Sequence, residues 1–176
     1  RISKSPAIFD PLKLRAINAA YIRALPAEEF RRLADPFIDS AVHCDIDRDL
    51  LCANLQPRCE VLEDIPPQLD FFDAVLPIDA EMYRNKKQKT TPESAKEALT
   101  ALLPVLEAQT DWTRDAIFEA CKALAEQMEK KNGWLLFPLG IALSGKARTP
   151  GGGTDLAAMM GREETLKRVK DALGKL

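Results

Sequence analysis

Trp134-Leu-Leu-Phe-Pro-Leu-Gly-Ile-Ala-Leu-Ser-Gly-Lys-Ala-Arg-Thr-Pro-Gly-Gly-Gly-Thr-Asp-Leu-Ala-Ala-Met-Met-Gly-Arg-Glu-Glu-Thr-Leu-Lys-Arg168 is the stretch that decides how this chain folds. An apolar segment ends at Ser144-Gly145, and a short basic stretch, Lys146-Ala-Arg148, follows. Then come a rigid Thr149-Pro150 and three glycines, Gly151 to Gly153. A second amphipathic segment, Leu156 to Met160, stops at Gly161. A last helix begins on Glu163 and Glu164, acids that suit the positive end of a helix dipole.

Helical periodicity also dominates upstream. Thr113 to Glu129 is the clearest amphipathic helix, with Ile117, Phe118, Cys121, Leu124 and Met128 inward. Thr91-Pro92-Glu93-Ser94 opens a helix running to Glu107, with Glu93 in its first turn. Near the start, Leu14, Ile17, Tyr21 and Ile22 repeat at helical spacing behind Asp10, an N-cap, and Pro11, at the first helical position. Pro26 ends that helix and starts the next, through Phe30, Leu33 and Phe37. Leu50, Leu51 and Leu55 continue the pattern toward Val61 and Leu62, and Pro66-Pro67 interrupts it. Phe71 to Asp79 is apolar but too short and too acidic to assign, and Lys86 to Thr91 reads as a polar linker. Strand alternation and internal repeats are absent from the pattern. The expected fold is therefore all-α: a bundle or cage of two packed helical subdomains, 1–85 and 86–176, jointed near 84–91.

Composition narrows the chemistry. With 176 residues, 46% of them hydrophobic and 30% charged, the chain can bury a substantial core. A formal net charge of −2 gives no global signature for nucleic acid. The charge is unevenly placed, however. From Asp45 to Glu81 there are ten acids against Arg48 and Arg58; from Arg84 to the end there are sixteen Lys and Arg against twelve Asp and Glu. A nucleic-acid partner would thus meet local basic patches, with the acidic middle mostly facing away from phosphate. Cys44, Cys52, Cys59 and Cys121, with the single His43, lack metal-ligand spacing, so no metal site is expected. Cys52 and Cys59 lie on one face of an expected helix and read as small core residues. No signal peptide or transmembrane run is present, so reduced thiols, a cytoplasmic location and no membrane partner are expected.

The order of the Trp134–Arg168 stretch resembles the C-terminal end of the bacterial glutamyl-tRNA synthetases, P-L-R-x-A-L-T-G, then T-P-G, a short helix, and G-K-E-x-x-L-x-R. The start, Ile2-Ser-Lys-Ser-Pro-Ala-Ile-Phe-Asp10 with Lys13-Leu14 and Asn18, is similar to that family's S-K-S-P-A-x-F-D and K-L-x-W-x-N, with Ala16-Ile17 in place of bulkier residues. Leu55-Gln-Pro-Arg-Cys-Glu-Val-Leu62 resembles L-x-x-R-x-x-T-L, so the likeness spans essentially the whole chain. It implies the anticodon-binding half of such an enzyme, binding tRNA(Glu), or also tRNA(Gln), as a monomer. The parent enzyme joins glutamate to tRNA using ATP and magnesium. The chain itself is expected to be non-catalytic and to hold no cofactor. The competing reading is a helical module that binds a protein and no RNA.

The candidate tRNA-binding residues are Arg58, Gly140, Lys146, Arg148, Thr149, Gly151 and Gly152. Arg58 falls on the arginine that the resemblance assigns to the third anticodon base, and a guanidinium fork suits a base edge. Its alternative is a solvated pair with Glu60 or Asp64. Gly140 stands where the family has an arginine that meets the first anticodon base, and so supplies no donor side chain. Lys146, Arg148 and Thr149 flank glycines that allow close backbone approach and leave amides free for phosphate or base edges. Trp112 and Trp134 read as core or staple residues more than as base-stacking platforms. His43 reads as a helix-end residue, and Glu28-Glu29 and Glu163-Glu164 as helix N-terminal charges. Ser3-Lys4-Ser5 resembles a K-M-S-K-S phosphate loop, yet no nucleotide-binding strand or Gly-rich turn accompanies it.

Overall fold

The computed structural model describes residues 10–176, and Ser3-Lys4-Ser5 lies outside them. The described residues are helical and form no strand beyond an isolated antiparallel bridge between Asn85 and Thr90. The helices are α1 (Pro11–Ala24), α2 (Ala27–Asp39), α3 (Arg48–Leu55), α4 (Pro92–Ala108), α5 (Arg114–Gln127), α6 (Asn132–Ser144), α7 (Gly153–Met160) and α8 (Arg162–Leu173). Short 3₁₀ turns at Gln56–Arg58, Leu62–Asp64, Pro66–Gln68 and Ala80–Tyr83 carry the chain between α3 and α4. No helix of the described residues is long and apolar enough to cross a membrane.

Local chemistry explains the helix starts. The Asp10 carboxylate accepts the amides of Leu12 and Lys13 at 3.0 and 3.3 Å, with Pro11 at the first position. Thr91 and Ser94 cap each other reciprocally ahead of α4. Thr113 caps α5 through the Ala116 amide. Apolar on every side, α6 is the central helix and packs against α4, α5, α7 and α8. One buried apolar cluster runs from Ile22 to Ala172, so residues on both sides of the 84–91 joint share a core. Trp134 is buried, and Trp112 is half-buried with its indole N–H donated to the Ala157 carbonyl at 2.9 Å.

Three expectations are corrected below. The helix expected behind Asp10-Pro11 is present as α1, with its apolar stripe largely at the surface: Leu14, Ile17 and Tyr21 are 46%, 46% and 72% exposed. This peripheral helix lies chiefly on the Gln56–Arg58 turn, and only Ala19 and Ile22 reach the interior. Cys52 and Cys59 do not share a helix, because Pro57 enters a 3₁₀ turn after Leu55. Both are buried all the same, which pushes their thiols up to about 11. Residues 86–91 are no loose linker. Asn85 and Thr90 exchange backbone bonds of 3.1 and 3.0 Å, and the buried Thr90 hydroxyl donates to the Tyr83 carbonyl at 2.7 Å. His43 is not a helix-end residue but pairs with Asp73 at 2.6 Å.

The segment after Phe71 is ordered by tertiary contacts. The Phe71 and Phe72 rings stack at 4.5 Å, both buried. Arg168, 2% exposed on α8, donates to the carbonyls of Phe71, Phe72 and Leu143 at 2.7, 2.6 and 2.7 Å, and to Glu164 at 2.7 Å. One side chain thereby ties the irregular segment to α6 and α8.

Candidate nucleic-acid interface

All seven candidate residues line one open cleft of about 750 Å³. Its floor is the face of α6 bearing Leu136, Phe137 and Gly140, since i, i+1 and i+4 positions fall on one side of a helix. One wall is Arg114 and Phe118 at the start of α5. The loop from Lys146 to Gly153 adjoins that wall, and the lining is completed by Arg58, Gln68 and Gln88. From the acid-rich middle of the chain, Arg58 and Gln68 belong to this lining.

Two glycines set the shape of this cleft. A Cβ on Gly153 would lie 2.7 Å from the Leu136 carbonyl and 3.1 Å from the Gly140 amide, so α7 crosses α6 at backbone contact there. Gly151 takes φ +105°, where a side chain is strained, and its Cβ would strike Asp155 at 2.6 Å. Gly140 differs, because a Cβ there would meet nothing nearer than 3.9 Å. The helix floor is bare at that point, with room for a methyl group.

The cations of the cleft are not equivalent. Glu60 and Asp64, the expected partners of Arg58, are both held by Arg15 of α1. Arg58 is exposed, and its contact among the described residues is a long 3.4 Å bond to the Thr149 carbonyl. Most of its fork is left open, facing the loop that carries the other candidates. Arg148 is exposed and has no hydrogen bond or ion pair among the described residues. Lys146 is half-buried, donating to the Pro67 carbonyl at 2.8 Å and pairing with Asp70, so its charge is already answered. The Thr149 hydroxyl donates to the Gly151 carbonyl at 2.8 Å, closing the turn. The Gly152 amide is not free for a ligand: the Asp155 carboxylate accepts it at 2.8 Å and caps α7. That carboxylate takes up one amide of the glycine loop and answers the helix dipole together.

The family model of the anticodon binding domain matches residues 16–173. The chain belongs to that family. Among curated relatives, the glutamate–tRNA ligase of Clostridium botulinum (strain Hall) is 45% identical over 99% of this chain, and that of Clostridium tetani is 42% identical over the same share. The chain spans 36% of the length of these relatives and matches their C-terminal part. Solved structures similar to it include a glutamate tRNA ligase from Elizabethkingia meningosepticum, with a TM-score of 0.79 at 24% identity, covering 96% of this chain and 33% of that one. The glutamate-tRNA synthetase from Elizabethkingia anophelis gives 0.73 at 20% identity, covering 94% and 32%. These structures share the all-α fold of this anticodon-binding domain.

Sequence reasoning missed Arg114, Phe118 and Gln88 as cleft residues of the domain. Phe118 was assigned to the core stripe of α5, yet it is half-buried and carries the Arg114 guanidinium over its ring at 5.4 Å from the centroid. The i, i+4 spacing of Arg114 and Phe118 was a usable signal. Gln88 had none, because its place over Gly133 depends on the 85–90 turn.

Proposed function

We propose that this domain binds the anticodon loop of tRNA(Glu), with tRNA(Gln) as the competing ligand. It would serve as the anticodon-reading part of a monomeric, cytoplasmic glutamate–tRNA ligase that joins glutamate to tRNA with ATP and magnesium. Family membership and the ligase relatives support an RNA partner over the protein-only reading, which nothing favours. The observation that carries the site assignment is the release of Arg58. Arg15 occupies Glu60 and Asp64, so the Arg58 fork stands open at the mouth of the cleft. In this reading Arg58 contacts a splayed base, Arg148 meets phosphate, and Lys146, Thr149, Gly151 and Gly152 shape the wall. Gly140 leaves space in the floor. Unpaired loop bases suit such a cleft, since RNA is read where bases can be turned outward and stacked.

Titrating the chain with glutamate and glutamine tRNA transcripts tests this. Arg58→Gln should weaken the preferred tRNA by roughly 1–3 kcal/mol, the worth of a bidentate base contact, and narrow the gap between the two. Equal losses for both tRNAs would assign Arg58 to phosphate. No binding by the unsubstituted chain would remove the RNA reading altogether.

A further inference from the structure

Arg114 lines the same cleft as the bare floor at Gly140, and its surroundings are those of a built contact. It sits at the first position of α5, one turn before Phe118, over whose ring its guanidinium lies. Its Nε donates to Asp155 Oδ1 at 3.2 Å and its Nη1 to Asp115 Oδ1 at 2.8 Å. Asp155 is 14% exposed and uses its other oxygen on the Gly152 amide at 2.8 Å. One carboxylate therefore fixes the glycine loop and the arginine relative to each other. A guanidinium has five N–H donors, and two are engaged, which leaves the Nη2 end of the plane open beside the cleft.

We infer that Arg114, stacked on Phe118 and oriented by Asp155, is a second arginine that contacts an unpaired nucleobase in this cleft, whose floor at Gly140 supplies no side chain. The inference rests on the reading of the cleft as an RNA site. Chemistry selects a base over a phosphate. Two carboxylates lie within 3.2 Å of the guanidinium, so a phosphate would meet net negative charge there. A neutral base meets no such penalty. It gains planar donors at its carbonyl oxygens and ring nitrogens, and an apolar edge from Phe118 and Phe137 for its face. Arg148, exposed and without an acid partner among the described residues, is the contrasting case of a cation open to phosphate.

Salt dependence separates the two roles. The experiment measures affinity for a glutamate tRNA transcript across a series of salt concentrations, for the 176-residue chain and for Arg114→Gln, Arg114→Lys and Arg148→Gln. Circular dichroism checks that each variant is folded. A lost phosphate contact lowers the slope of log K against log salt by about one, whereas a lost base contact leaves the slope alone. The expected result is a loss of roughly tenfold for Arg114→Gln at unchanged slope. Arg114→Lys should lose nearly as much, because lysine keeps the charge but lacks the plane and the fork. Arg148→Gln should flatten the slope. A flattened slope in Arg114→Gln, or wild-type affinity in Arg114→Lys, would overturn the inference while the RNA reading stands. If the unsubstituted chain bound no tRNA, the functional reading and this inference would fall together.

Discussion

In the middle of α8, Arg168 is 2% exposed and its guanidinium reaches three backbone carbonyls and Glu164, none longer than 2.7 Å. At the mouth of the cleft, Arg58 is exposed, has lost its expected acidic partners to Arg15, and makes one 3.4 Å bond. The same side chain is an anchor in one region and an open set of donors in the other. Partner supply decides which. Where tertiary structure brings carbonyls to a buried guanidinium, four of its five donors are engaged and burial closes it to a ligand. Where a neighbouring arginine takes the acids, the fork stays available.

The largest expected effect breaks the anchor. Arg168→Met leaves the carbonyls of Phe71, Phe72 and Leu143 buried without a donor, and each such group costs about 1–3 kcal/mol. The total loss in urea denaturation should be roughly 3–5 kcal/mol, as for breaking other buried charged networks. Arg58→Met should stay within about 0.5 kcal/mol of the unsubstituted chain, as exposed substitutions do. Equal losses at the two sites would erase the distinction between them.

A second pair of substitutions sharpens the comparison at the α6–α7 crossing. Gly153→Ala places a methyl 2.7 Å from the Leu136 carbonyl, so α7 must back away. It should cost roughly 1–3 kcal/mol, the usual range for overpacking. Gly140→Ala, one helix across, has 3.9 Å of clearance and sits inside α6. It should stabilise by about 0.5–1 kcal/mol, since glycine is the poorer helix residue. Thermal unfolding of the two variants should therefore shift in opposite directions. A destabilised Gly140→Ala would mean that the floor of the cleft is closed and not bare.

What could be read in advance follows the same division between local and distant causes. The caps at Asp10, Thr91 and Thr113, the inward Ile117 and Cys121, and the all-round apolarity of α6 are local patterns, and the structure carries them. The convergence of residues 58, 140 and 146–152 on one cleft was expected only through family resemblance, because no periodicity links the Gln56–Arg58 turn to α6. Arg168 was unreadable: with Glu164 one turn before it, it looks like a surface ion pair, and its three carbonyl partners come from other parts of the chain. The run Gly151 to Gly153 announced a turn, but not that Gly153 alone touches α6 while the Gly152 amide is taken by Asp155. α1 misled in the opposite sense. Its stripe has the periodicity of a core helix, yet Leu14, Ile17 and Tyr21 stay exposed.

The smallest expected effect asks whether saturation or burial makes an anchor, and Asp73 separates the two. Its side chain is 36% exposed, far from the burial of Arg168, yet it faces three donors. The His43 ring lies at 2.6 Å, and the His43 and Cys44 amides donate at 2.8 and 2.9 Å. These bonds, the His43 ring first, hold its carboxyl well below the ordinary 3.8. A folded-state pKa below the unfolded one means the ionised form stabilises the fold. That contribution is complete above 3.8 and is lost as pH falls from there toward the folded value. Asp73→Asn keeps the shape but not the charge. Its stability deficit should shrink as pH drops below 3.8, and it should be smaller than that of Arg168→Met because water screens the site. Urea midpoints for both proteins from pH 7 downward measure it. A narrowing gap would show that a saturated group anchors the chain even where solvent reaches it, so that Arg58 is open for want of partners. A gap independent of pH would leave burial as the cause, and Arg58 would differ from Arg168 by its exposure alone.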